Sequence, residues 1–141
     1  MSVDLIVFLQ RASMPTTQQW AVGIRAAGFP VDFEFDFDPD TATGFRPCKY
    51  AGVLSGFEYH SGRLSQVECQ ELGAPPDCDF SVTLSTGADL REFASSIIAA
   101  SVLTQMSKGT LFDPQEGAQY PASGVLAWAR EQLATFAAEI K

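Results

Sequence analysis

The chain has 141 residues, 46% of them hydrophobic and 18% charged, with a mean hydropathy of +0.05. That size suits one domain spanning residues 1–141, and the hydropathy and charge exclude intrinsic disorder. A net charge of -8 repels phosphate backbones and excludes ordinary nucleic-acid binding, while favouring a basic partner.

At the N-terminus, Val3–Leu9 is a nearly continuous apolar run rich in β-formers, which predicts a buried central strand. No basic segment precedes it, and Leu5–Leu9 is too short for a signal sequence or a membrane span. The expectation is a cytosolic protein with no membrane contact. Arg11–Pro15 turns the chain. Thr16 and Gln19 fit a capping box, and Trp20, Ile24 and Ala27 recur at helical spacing up to Gly28, a plausible helix end.

The next stretch, Val31–Asp40, reads VDFEFDFDPD and holds five carboxylates in ten residues. Phe33, Phe35 and Phe37 alternate with Asp32, Glu34, Asp36 and Asp38. A period of two predicts a strand with an aromatic face turned inward and an acidic face turned out. Asp38-Pro39-Asp40 ends it, and a loop is expected as far as Lys49. Tyr50–Tyr59 is the next strand, with two glycines that imply a bulge or a close backbone approach. His60-Ser61-Gly62 reads as a turn, Leu64–Leu72 as a weakly alternating segment, and Gly73–Asp77 as a loop around Pro75-Pro76. Asp79–Leu84 alternates cleanly.

Thr86 and Asp89 signal a helix start, and Leu90, Phe93, Ile97 and Ala100 carry an apolar stripe toward Ser107 and Gly109. Thr110–Phe112 is a short strand, Asp113–Gly117 a loop, and Pro121–Ile140 a last helix. This order predicts an α+β fold: a single mixed, largely antiparallel sheet with three helices packed mainly on one face.

These residues suggest several chemistries and complete none. Asp36-x-Asp38-x-Asp40 begins like a calcium loop, but no Gly follows Asp40, and Pro47 stands where a bidentate Glu is needed. Cys48, Cys69 and Cys78 have no C-x-x-C spacing and only His60 as a companion, so neither a zinc site nor Cys/His catalysis is indicated. An odd cysteine count suits a reducing compartment. Phosphate-loop, dinucleotide and serine-hydrolase fingerprints are all missing. Glu58, Glu68 and Glu71 form no selected acid/base pair. The expectation is therefore no catalytic residue, metal or cofactor.

The turn Asp113-Pro114 would project Gln115 and Glu116 from its tip. This FDPQEG element, within Gly109–Ala129, resembles one in small uncharacterised bacterial α+β proteins, some of them similar to immunity proteins of toxin systems. The resemblance implies a protein-binding role and carries no catalytic residues. The reading that follows is a non-enzymatic cytosolic domain. It would bind a basic protein partner through Asp32, Glu34, Asp36, Asp38 and Asp40, with Gln115 and Glu116 as a second contact. The rival is a small ligand-binding domain or enzyme whose pocket would draw on Tyr59, His60 and Cys78.

Overall fold

The computed structural model describes residues 2–33 and 36–140. It is an α+β fold built on one seven-stranded sheet in the order β2-β3-β4-β5-β1-β6-β7. The strands are β1 (Val3–Leu9), β2 (Val31–Phe33), β3 (Gly44–Tyr50), β4 (Val53–Arg63), β5 (Phe80–Thr86), β6 (Thr110–Asp113) and β7 (Ala118–Pro121). Every described pairing is antiparallel, so the expected mixed sheet is corrected to an antiparallel one. Four α-helices accompany it, one more than expected: α1 (Thr17–Ala26), α2 (Gln66–Leu72), α3 (Leu90–Ser107) and α4 (Val125–Phe136).

The apolar run at β1 lies where its composition puts it, between β5 and β6. Leu5, Val7 and Leu9 stand opposite Leu84, Val82 and Phe80, and these side chains belong to the main core. Phe8 points to the other face, where it stacks on Phe112 with ring centres 6.3 Å apart.

Helix α3 lies over the sheet and contacts both α1 and α4. Its Ala and Ser residues let it approach closely: Ser95 Oγ meets Ser55 Oγ of β4 at 2.9 Å. Its buried hydroxyls donate back into the helix, Ser101 to the carbonyl of Ile98 and Thr104 to that of Ala100, so burying them leaves no donor unpaired. The Asp89 side chain accepts from the Glu92 N–H and caps the helix, whereas Thr86, expected to share that signal, ends β5 and caps nothing. Lys108 takes the left-handed conformation at its end, with φ 56. Gly109 then passes so close to β1 that a Cβ there would lie 2.4 Å from the Phe8 carbonyl. Helix α1 begins with the predicted Thr16–Gln19 capping box and is tied to α3 by a bond from Trp20 Nε1 to the Ala99 carbonyl at 2.9 Å.

Expectations for single segments are corrected as well. Among the described residues, the strand at Val31–Asp40 runs only to Phe33. Phe33 and Phe37 both turn into the core, and Asp38 starts a turn by accepting the Asp40 N–H, so the alternation does not extend the sheet. The expected loop up to Lys49 is instead largely β3. Ala51 and Gly52, both at positive φ, form a two-residue hairpin turn from Tyr50 to Val53. His60 lies within β4, not in a turn. The segment near Leu64–Leu72 is mostly α2. Its start is a Ser65–Glu68 capping box and its end is Gly73 at φ 71, while Cys69 is its one buried residue, so the caps rather than an apolar stripe define it. Last, Asp113–Gly117 joins two strands, β6 and β7, and the final helix starts at Val125 rather than Pro121.

The helices do not all share a face. Tyr120 stacks on Trp128 of α4, with ring centres 4.7 Å apart, so its neighbour Gln119 points to the opposite side of β7. Gln119 Nε2 there donates to the Gly73 carbonyl at 2.8 Å, which places the end of α2 over that side. No described helix is long and apolar enough to cross a membrane.

Candidate functional site

The acidic segment separates into an apolar half and a charged half with different fates. Phe33 meets Trp20 edge-on at 4.9 Å, lies 5.6 Å from Phe57, and meets Phe37 at 5.7 Å, with Phe37 then reaching Tyr59 at 5.0 Å. Such pairs contribute about 0.5–1.5 kcal/mol each beyond burial. Arg46 covers the outer side of Phe37 at 5.4 Å. The Pro39 carbonyl accepts from both Tyr59 Oη at 2.7 Å and Ser61 Oγ at 2.6 Å. Burial pushes the Tyr59 phenol up to about 12, so it stays a donor at any ordinary pH. The segment from Phe37 to Asp40 is thus pinned to the sheet at several points.

The carboxylates are used unevenly. Asp40 is committed to this chain. Arg11 reaches it with Nε to Oδ1 at 2.7 Å and Nη2 to Oδ2 at 2.6 Å, a bidentate pair. That hydrogen bond, followed by charge attraction, holds the Asp40 carboxyl below its ordinary value of 3.8 and raises Arg11. Arg11 also donates its backbone N–H to Asp79 and lies 5.5 Å from the Phe80 ring centre. Asp32 stands opposite Lys49 in the β2–β3 register and lies 3.8 Å from Arg25, in a pair more than 60% exposed on both sides. Exposed pairs of this kind contribute about 0–1 kcal/mol. Asp38 is engaged with the Asp40 N–H at 2.9 Å. Asp36 is exposed and bonds to no other described residue. Glu34 and Phe35 lie outside the described residues.

At the β6–β7 turn, Asp113 accepts the Gln115 N–H at 3.1 Å, as the Asp-Pro signal requires. The Gln115 side chain turns back to β1. With its amide oriented by its neighbours, it donates to the Asp4 carbonyl at 3.1 Å and to Asp113 at 2.8 Å, and accepts from the Asp4 N–H at 3.3 Å. Glu116 is exposed at the tip. Of the two tip residues, Gln115 locks the turn to the sheet and Glu116 faces outward.

Of the residues invoked for other chemistries, the structure brings Cys69 and Cys78 together. Tyr59 and His60 are neighbours on β4 and face opposite sides of the sheet. Cys48 is buried in β3, and Cys69 Sγ donates to the Cys78 carbonyl at 3.0 Å. Burial first, then the nearby Asp77, pushes the Cys78 thiol up to about 11, which suppresses the thiolate at neutral pH. Among the described residues no three His, Cys, Asp or Glu side chains are grouped to hold a metal.

Two concavities were not foreseen. A groove of about 800 Å³ lies between the start of α1 and the end of α3, with Met14, Val22 and Met106 as its apolar members. A smaller cleft of about 190 Å³ opens where β5 gives way to α3, lined by Ser2, Phe45, Phe57, Glu58, Ser85, Thr86, Gly87 and Glu92. The Phe45 ring lies against Gly56, where a Cβ would come 2.4 Å from the ring and 2.6 Å from the Arg46 carbonyl. Burial, helped by Asp89 and Glu58, raises the Glu92 carboxyl above its ordinary 4.5. Thr86 is only 4% exposed, and its Oγ1 has no hydrogen-bond partner. Such an orphaned hydroxyl costs about 1–3 kcal/mol. In sequence, Thr86, Asp89 and Glu92 appear as a helix start. Their approach to Glu58 and Phe45 depends on the β3–β4–β5 register and carries no local signal.

The chain matches no family model, no curated protein and no solved structure.

Proposed function

We propose that the protein is a non-enzymatic, cytosolic binding domain that takes a basic protein partner on its acidic surface. The observation that supports this most is the anchoring of the Phe37–Asp40 segment. Its Phe37 ring packs against the core, the Pro39 carbonyl accepts from Tyr59 and Ser61, and Asp40 is gripped by Arg11. Asp38, at the solvent side of that segment, is therefore presented on a pre-organised support, which lowers the ordering cost of binding, and the exposed Asp36 directly precedes it. The overall charge of -8 adds long-range attraction for a basic partner. Asp32 and Asp40, which already face cations of this chain, serve less as free contacts than Asp36, Asp38 and Glu116 do. The narrower idea of a toxin-neutralising protein rests on the sequence resemblance around Gly109–Ala129.

Fluorescence anisotropy with a labelled oligolysine peptide tests the general reading. Binding should weaken steeply with added salt, and should weaken further when Asp32, Glu34, Asp36 and Asp38 are changed together to Asn or Gln. Binding that ignores both salt and these substitutions would contradict it.

A further inference from the structure

The cleft at the β5–α3 junction combines features that the acidic segment lacks. Two carboxylates line one small cavity, Glu58 from the face of β4 turned away from α3 and Glu92 from the first turn of α3, and among the described residues no lysine, arginine or histidine lines it with them. Asp89 adds negative charge nearby, while its own side chain is occupied capping α3. Ser85 is occupied as well, donating to Asp4 at 2.6 Å. Phe45, 47% exposed, supplies an aromatic wall with an accessible face. Thr86 supplies an independent pointer to a missing donor: a buried hydroxyl on the cleft lining whose oxygen accepts from nothing. Two carboxylates, a ring face and an unused acceptor make a combination suited to an alkylammonium group.

We propose that this cleft seats the ammonium group of a lysine side chain from a basic protein partner, held between Glu58 and Glu92 with the Phe45 ring as its apolar wall. The cavity of about 190 Å³ suits a single unbranched side chain and is too small for a folded element. The ammonium would neutralise the Glu92 carboxylate, whose charge burial disfavours, together with the exposed carboxylate of Glu58. Its methylene stem would lie along the Phe45 ring. Turning the Thr86 hydroxyl toward the cleft would give the third donor of the ammonium an acceptor. The inference rests on the reading of a basic partner and adds where one of that partner's lysines sits.

The test is an amide NMR titration of the full 15N-labelled chain with Nα-acetyl-lysine methylamide, with the norleucine analogue as a control of nearly the same shape and no charge. The lysine compound should give saturable shifts at Phe45, Glu58, Ser85, Thr86, Gly87 and Glu92, and the control should not. The double substitution Glu58→Gln/Glu92→Gln should weaken binding about tenfold or more while the remaining spectrum shows the fold intact. Replacing Asp36 and Asp38 by Asn should leave these shifts unchanged. Equal shifts with the norleucine compound, or undiminished binding by the double variant, would overturn the cleft. Oligolysine binding that remains salt-dependent and sensitive to the acidic-segment substitutions would then still stand for the broader reading, so the two can fail separately.

Discussion

Asp40 and Glu92 are both carboxylates near the surface, and the fold treats them in opposite ways. Asp40 lies under a bidentate arginine, so its charge is favoured in the folded state. Glu92 sits in a partly desolvated cleft beside Asp89 and Glu58, so its charge is disfavoured there. The difference teaches that the density of acidic residues along a chain says little about which of them is available. Around Asp40 the fold supplies its own cation. Around Glu92 it supplies none among the described cleft-lining residues, and adds an unpaired hydroxyl.

The comparison can be broken most forcefully at the support of the acidic segment. Phe33→Ala removes a buried ring that contacts Trp20, Phe37 and Phe57, and should cost about 3–5 kcal/mol by chemical denaturation. Phe45→Ala, at a half-exposed ring of the cleft, should cost only about 1 kcal/mol. Similar losses at the two positions would mean that the Phe33 cluster does not anchor the segment.

Thr86→Val sharpens the other side. It keeps the shape of the side chain and removes the orphaned hydroxyl, so the free protein should gain up to about 1 kcal/mol in the same denaturation experiment. A loss of comparable size would show that the hydroxyl already has a partner in solution.

Smaller effects separate the two carboxylates by pH. Asp40 has a folded pKa below its unfolded value, so its contribution is fully present above 3.8 and disappears as the pH falls through the folded pKa. Asp40→Asn should therefore lower stability at pH 7 by less than about 1 kcal/mol, because the pair is partly exposed, and by nothing measurable once the carboxyl is protonated. Glu92 has a folded pKa above its unfolded value. Between the ordinary 4.5 and the raised value the folded state holds more protons, so stability falls as pH rises through that window. Glu92→Gln should raise Tm by about 1–3 °C at pH 7 and leave it unchanged below that window. Thermal melts across the pH range read both variants, and slopes of the same sign for the two would break the contrast.

How much of this was legible in the sequence follows from where the information lies. The run at Val3–Leu9, the Thr16–Gln19 capping box and the helix beginning after Asp89 depend on residues close together in the chain, and the structure has all three. The inward orientation of Phe33 was legible for the same reason. The strand β3 was hidden because Gly44–Tyr50 carries Arg46, Pro47 and Lys49. Pro47 is tolerated where it faces Gly56, a residue whose backbone also passes beneath the Phe45 ring. Helix α2 was hidden because it buries only Cys69 and leaves Val67 and Leu72 exposed, giving no apolar stripe to detect. Arg11 and Asp40 are twenty-nine residues apart, and Glu58 and Glu92 meet only through the sheet register and the path of α3. The alternation at Val31–Asp40 made a stripe of equivalent acids look natural, but the fold distinguishes them one by one.

The account is tested most directly by a 13C NMR titration of the side-chain carboxyls, followed from pH 2 to pH 8 in one sample. It predicts that Asp40 titrates below 3.8 and Glu92 above 4.5, and that saturating Nα-acetyl-lysine methylamide lowers the Glu92 midpoint while leaving Asp40 where it was. Two ordinary midpoints, or a Glu92 midpoint indifferent to the lysine compound, would contradict it.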